Sequence, residues 1–267
     1  MVKPKLNPPP YTGWQRDLPD PNETVRESPA LLSISPVHLD KIYMEISRNA
    51  LSVHGVLIWF AVLMAVWLAQ SIFTAVFNLF DVQEFNISGD RVVVMIILWG
   101  TMAVAVWASA VFYRMDVSPP RDLPLRFNRL RRKVYVYGFH SIWWNPFTRW
   151  HVTTASYDWD DLRAEKWKVR GATAGGALIL KEGVSIAVVE PGTNNVITRF
   201  DFSTTAANTT NLWAYVCSYM QNGIEGLDPD HADPRDSNDV APYNLALRLA
   251  PKVEWPADMD RESRTVP

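Results

Sequence analysis

Two stretches without a single charged side chain, residues 55–80 and 92–113, restrict what this chain can become more than any other feature. A hydrocarbon core about 30 Å thick is crossed by about 20 apolar residues in a helix, so each stretch is long enough to span a bilayer. A core helix of a soluble domain keeps a polar stripe, which neither stretch has. A secretory signal needs its apolar region at the extreme amino terminus, and the first stretch starts past residue 50. The chain therefore reads as a membrane hairpin with sizeable polar regions on both sides.

Basic residues orient the hairpin. Lys41 and Arg48 precede the first span, and Arg114, Arg121, Arg126, Arg129, Arg131, Arg132 and Lys133 follow the second. The connecting residues 81–91 carry only Arg91, beside Asp81, Glu84 and Asp90. The positive-inside rule then places both termini in the cytoplasm. Neither span contains an acid or a base, the groups that proton relays and charge-moving transporters use, so the hairpin reads as an anchor. Ala61, Ala65 and Ala69 on one span, and Thr101, Ala105 and Ser109 on the other, recur every fourth position. Such spacing suits a close helix–helix contact, and the ordinary alanine content of membrane helices explains it equally well.

Residues 1–36 hold Pro8, Pro9, Pro10, Pro19 and Pro21, lack apolar periodicity and read as a flexible arm. Residues 37–54 read as a juxtamembrane helix with Ile42, Ile46 and Leu51 near one face. Residues 118–226 read as a cytoplasmic β-rich domain. Residues 125–128 and 133–137 suit two strands around a turn, 196–202 alternates strictly, and 167–169 is a weaker strand. Residues 177–180 and 184–189 suit a hairpin turning at Lys181, Glu182 and Gly183. Leu212, Trp213, Val216, Cys217 and Met220 mark one face of a helix, capped by Thr204, Thr205 or Asn208 and ended by Asn222 and Gly223. Antiparallel strands closed by a C-terminal amphipathic helix follow the element order of a pleckstrin-homology-like sandwich. The expected fold class is thus a membrane α-helical hairpin plus an α+β domain, an antiparallel β-sandwich of that kind. Residues 227–267, with nine acids against five bases, read as an acidic, proline-rich tail, either solvated or lying on the basic residues 126–133.

With 26 basic and 28 acidic side chains, the chain is no polybasic nucleic-acid binder. Its one cysteine, Cys217, allows neither an intramolecular disulfide nor a thiolate zinc site. No P-loop, HExxH or GxSxG motif occurs. His140 and His151 share the domain with Asp158, Asp160 and Asp161, and a metal site or a hydrolase needs these to converge in space. No catalytic residue, metal or cofactor is expected. Two clusters rise above that background. Arg126, Arg129, Arg131, Arg132 and Lys133 can attract anionic lipid, at about 1 kcal/mol for each residue near the surface, or can merely fix topology. Trp143, Trp144 and Trp150 can sit at the headgroup level, bury in a partner, or cap the sandwich.

The runs Leu125-Arg126-Phe127-Asn128-Arg129 and Arg132-Lys133-Val134-Tyr135, and the pair Trp159-Asp160, resemble a proteobacterial family of two-helix membrane proteins whose domain has no assigned function. The late segment Ala250-Pro251-Lys252-Val253-Glu254-Trp255-Pro256, with Glu262-Ser263 after it, fits the same family. The resemblance covers most of the chain after about residue 35 and carries no catalytic residue. It implies a Gram-negative inner membrane. Members recur among genes of type VI secretion systems and their toxins, which implies a partner near a secreted effector. The expected function is a non-enzymatic inner-membrane protein that binds a protein partner, in its specific form an immunity or accessory protein for a type VI effector. The alternative is an anionic-lipid-binding module using the basic cluster and the tryptophans.

Overall fold

The computed structural model describes residues 4–8, 13–24, 27–31, 36–48, 54–80, 89–172, 178–203, 209–227 and 236–267. The connecting residues 81–88, Leu51 and the cap candidates Thr204, Thr205 and Asn208 lie outside that set. In chain order the strands are β1 (Trp14–Asp17), β2 (Pro36–Leu39), β3 (Tyr43–Ile46), β4 (Leu125–Asn128), β5 (Lys133–His140), β6 (His151–Asp158), β7 (Leu162–Ala172), β8 (Leu178–Val189) and β9 (Val196–Ser203). The helices are α1 (Leu57–Phe80), α2 (Gly89–Val117), α3 (Thr209–Asn222), α4 (Leu245–Leu249) and α5 (Ala257–Arg264).

Alternation builds the centre. Leu125 of β4 lies opposite Val136 of β5, and Phe127 lies opposite Val134. All four enter one apolar core. The turn between them is held by Asn128, whose side-chain oxygen accepts the Arg131 backbone N–H at 2.8 Å, and Arg132 takes a left-handed conformation with φ 51°. The strands form two antiparallel sheets, ordered β2-β3-β4-β5-β6 and β1-β7-β8-β9. In a core shared with both sheets, the α3 stripe of Leu212, Trp213, Val216, Cys217 and Met220 packs with Phe127, Trp159, Ile186 and Phe202. Trp213 lies 5.4 Å from Trp159 and edge-on to Phe202 at 5.8 Å. The helix stops at Gly223, which has φ 77° and returns its N–H to the Tyr219 carbonyl at 2.8 Å.

Three sequence expectations are corrected. Within residues 37–54, the part described as regular is the β2–β3 hairpin rather than a helix. Asp40 makes its turn by accepting the Ile42 and Tyr43 N–H groups at 2.7 and 2.8 Å, and β3 then pairs along its whole length with β4. Tertiary pairing overrides a helix-compatible spacing that covers only about two and a half turns. The arm within residues 1–36 is a strap in its described parts. Strand β1 pairs with β7, and Leu6, Leu18 and Leu31 are buried. Pro19 and Pro21 cannot donate from the backbone, but their carbonyls accept from Trp213 at 3.1 Å and Gln221 at 2.9 Å on α3. Finally, Lys181, Glu182 and Gly183 lie inside the continuous strand β8. Gly183 serves close approach, because a Cβ there would meet the Ser203 carbonyl at 2.4 Å and the Trp167 ring at 2.6 Å.

The two apolar helices leave the domain between β3 and β4, which are hydrogen-bonded neighbours. In the most apolar 18-residue stretch of each helix only 6% (α1) and 11% (α2) of the residues are buried, so neither is a core helix of the domain. Both are long and apolar enough to cross a membrane. Their seam follows steps of three and four: Ala61, Met64, Leu68, Ser71 and Ala75 on α1 are less exposed than their neighbours, as are Leu98, Met102 and Ala105 on α2, beyond which residues 108–112 are all partly or fully buried. This is the heptad seam of left-handed packing, and it leaves Ala65, Ala69 and Thr101 outside the contact. At the base, buried Asp116 of α2 accepts the Gly55 and Ile58 N–H groups at 2.9 Å each, neutralising the start of α1.

Candidate functional site

The basic cluster is largely consumed inside the protein. The described part of the tail, residues 236–267, turns back onto the outer face of β4. Arg126 is 1% exposed. Its guanidinium pairs with Glu45 at 2.7 Å and Asp260 at 2.9 Å, and donates to the Ser263 hydroxyl. The rings of Tyr43 and Trp255 lie against it at 5.2 and 4.7 Å. Asn128 donates to the Ser263 and Thr265 carbonyls, and Arg131 donates to those of Thr265 and Val266. Lys133 bonds Glu262 at 2.9 Å, and that bond holds the Glu262 carboxyl below the usual carboxylate range. Arg132 pairs with Asp160, whose carboxyl is held low by Arg132 and then Asn22. Arg129 lies half-buried against Gly223. Of the cations expected to attract lipid, Arg126, Arg131 and Lys133 are bonded to the chain's own tail and Arg132 to Asp160, so most of them already have an anion or a carbonyl at hydrogen-bond distance.

The tryptophan cluster divides. Trp150 is buried, edge-on to Phe139 at 6.3 Å, whereas Trp143, Trp144 and Phe147 are 63%, 58% and 75% exposed. They belong to the connection between β5 and β6. Asn145 organises it: its carbonyl accepts the Thr148 hydroxyl at 2.9 Å and the Trp150 indole at 3.3 Å, and its side chain accepts the Phe147 N–H at 3.1 Å. The loop runs along α2. Trp107 donates to the Trp144 carbonyl at 3.1 Å, and Arg114 donates to the carbonyls of Pro146 and, at 2.8 Å, Thr148. The Arg114 guanidinium also stacks 4.6 Å from the Trp150 ring.

A feature that sequence reasoning missed lies between the sheets. Strands β6 and β9 are sheet edges, and they border a groove of about 510 Å³. Gly138, Thr153 and Ala155 line one wall, and Thr198, Phe200 and Ser203 line the other. Tyr157 and Phe200 stack across it at 6.0 Å. Arg48 ties the surrounding segments together, donating to Leu123 and Asp201 carbonyls at 2.6 and 2.9 Å and to that of Tyr137. Burial lowers its guanidinium to about 10 against the opposing pull of Asp122 and Asp201. Edge strands present unpaired backbone donors and acceptors, so such a groove can accept an added strand.

The histidines and aspartates do not assemble. His140 and His151 face each other at 5.4 Å, but Asp158 ends the strand that His151 begins, about 23 Å away at roughly 3.3 Å per residue. Among the described residues, no group of three or more His, Cys, Asp or Glu side chains could hold a metal ion. Burial pushes the Cys217 thiol up, far from the range of a nucleophilic thiolate.

No curated protein and no solved structure was found to match the chain. The model of a family of unknown function, DUF6708, matches residues 102–267, which takes in the second half of α2, both sheet edges of the groove and the whole tail. That match extends over more than half of the sequence, and the chain belongs to the DUF6708 family.

Proposed function

We propose that this is a membrane-anchored, non-enzymatic binding protein whose β6–β9 groove takes an extended segment of a partner protein. The groove carries this reading: two edge strands face a 510 Å³ opening lined by small and aromatic side chains, and strand addition supplies backbone hydrogen bonds there. In the full proposal α1 and α2 span a bacterial inner membrane with both termini cytoplasmic, which the distribution of basic residues favours. The domain is a pleckstrin-homology-like sandwich, for which the order β3–β6, β7–β9, α3 is the support. The narrower form, an immunity or accessory protein for a type VI effector, rests on the sequence resemblance. An anchor would then hold the domain at high local concentration beside a toxin that acts at the membrane.

Ala155→Trp would fill part of the groove while leaving the core untouched. Binding of the full chain in detergent micelles to the effector encoded beside its gene should weaken at least about tenfold, the effect of losing a central contact. An unchanged affinity in the folded variant excludes the groove as the site. Absence of binding by the unaltered protein removes the type VI form of the proposal.

A further inference from the structure

We infer that the β5–β6 loop is a third membrane contact, inserting Trp143, Trp144 and Phe147 into the boundary between headgroups and acyl chains. The inference rests on the reading of α1 and α2 as spanning helices and is independent of what fills the groove. Position carries it. The uncharged stretch of α2, residues 92–113, is about 33 Å long at about 1.5 Å per residue, a little longer than a hydrocarbon core of about 30 Å. The rings of Phe60 and Phe112 lie 6.3 Å apart, which sets the level of α2 at which α1 has just entered its own apolar window, beginning at Leu57. Trp107 is a further turn and more beyond that level, about 7 Å deeper. Because its indole bonds the Trp144 carbonyl, the loop descends to that depth instead of stopping at the helix end.

The loop is also built for that place. Its three exposed aromatic side chains lie on a loop bonded to α2, where Trp99, Val104 and Trp107 are exposed as well. Indole rings favour this interface because one edge is polar and the body is apolar. A basic side chain at such depth needs partners, and Arg114 has two loop carbonyls and the Trp150 ring. At the loop base, His140, Arg149 and His151 are exposed, at a level where headgroups and water can solvate them. The Asn145 bonds hold the loop in one shape before any lipid is met, so little ordering cost opposes insertion.

Spin labels on single cysteines of the full chain, in phosphatidylcholine vesicles with and without phosphatidylglycerol, test this. Native Cys217 is buried and stays unlabelled. Labels at Phe147→Cys, at Phe73→Cys on the exposed face of α1, and at Asn194→Cys in the solvent-facing turn before β9 are compared by relaxation with oxygen and with a water-soluble nickel chelate. The expected oxygen-to-nickel ratio at Phe147 is severalfold above that at Asn194 and below that at Phe73, with or without the anionic lipid. A ratio equal to that at Asn194, with Phe73 still in lipid, overturns the loop insertion and leaves the spanning helices standing. Low collision with both reagents at Phe147 overturns it in favour of a protein contact. An aqueous reading at Phe73 overturns both the insertion and the spanning reading beneath it.

Discussion

Arg126→Ala should lower folding stability by about 3–5 kcal/mol, the cost of leaving a buried ion pair's partner behind. Arg126 sits between Glu45 on β3 and Asp260 on α5, under the rings of Tyr43 and Trp255. Its removal strands the Glu45 carboxylate, itself buried, and releases the strongest tie between the tail and β4. The penalty belongs to the unpaired charge more than to the lost pair. Arg126→Met combined with Glu45→Leu should therefore cost less than Arg126→Ala alone, since apolar groups of similar size need no partner. Urea unfolding of the full chain in micelles, followed by tryptophan fluorescence, reads both variants. A loss below about 1 kcal/mol in Arg126→Ala would mean that the tail is not docked there in solution.

The second large effect is expected at Trp213. Its side chain is fully buried, touches Trp159 and Phe202, and sends its indole N–H to the Pro19 carbonyl of the amino-terminal strap. Trp213→Ala should cost about 3–5 kcal/mol through the cavity it leaves. Trp213→Phe keeps most of the volume and loses the hydrogen bond, so it should cost clearly less. Equal losses in the two variants, in the same urea titration, would contradict the packing of α3 into the core.

The parts legible in the sequence are those whose burial is one-sided. Strands β4, β5 and β9 and helix α3 show their period because one face meets the core. The apolar hairpin is legible for a different reason, since composition over a long window needs no partner to be read. Strand β3 is hidden in the sequence, and the docking of the tail stays one of two alternatives there, because Glu45, Arg126, Asn128 and Ser263 are polar yet buried. Such residues look solvated in sequence, whereas in the fold Glu45 pairs with Arg126 and the docked tail completes the partners of Arg126 and Asn128. Strand β6 is an edge with little apolar alternation, so β5 reveals it and its own residues do not. Among the candidate site residues, type alone left Trp143 and Trp144 open between a lipid interface, a partner contact and a cap on the sandwich, and the fold leaves both side chains exposed. The groove could not be flagged, because its walls come from strands more than forty residues apart that form one cleft only after both sheets are in place.

Helices α1 and α2, if they cross a membrane, leave the domain on one side of it and their connection on the other. Cysteines at Asn86, in the connection between the helices, and at Asn194 separate the possibilities when intact cells meet a membrane-impermeant maleimide. The account expects labelling at Asn86→Cys from outside and at Asn194→Cys only after permeabilisation. Labelling of Asn194→Cys in intact cells, or of neither cysteine until the membrane is opened, would contradict it.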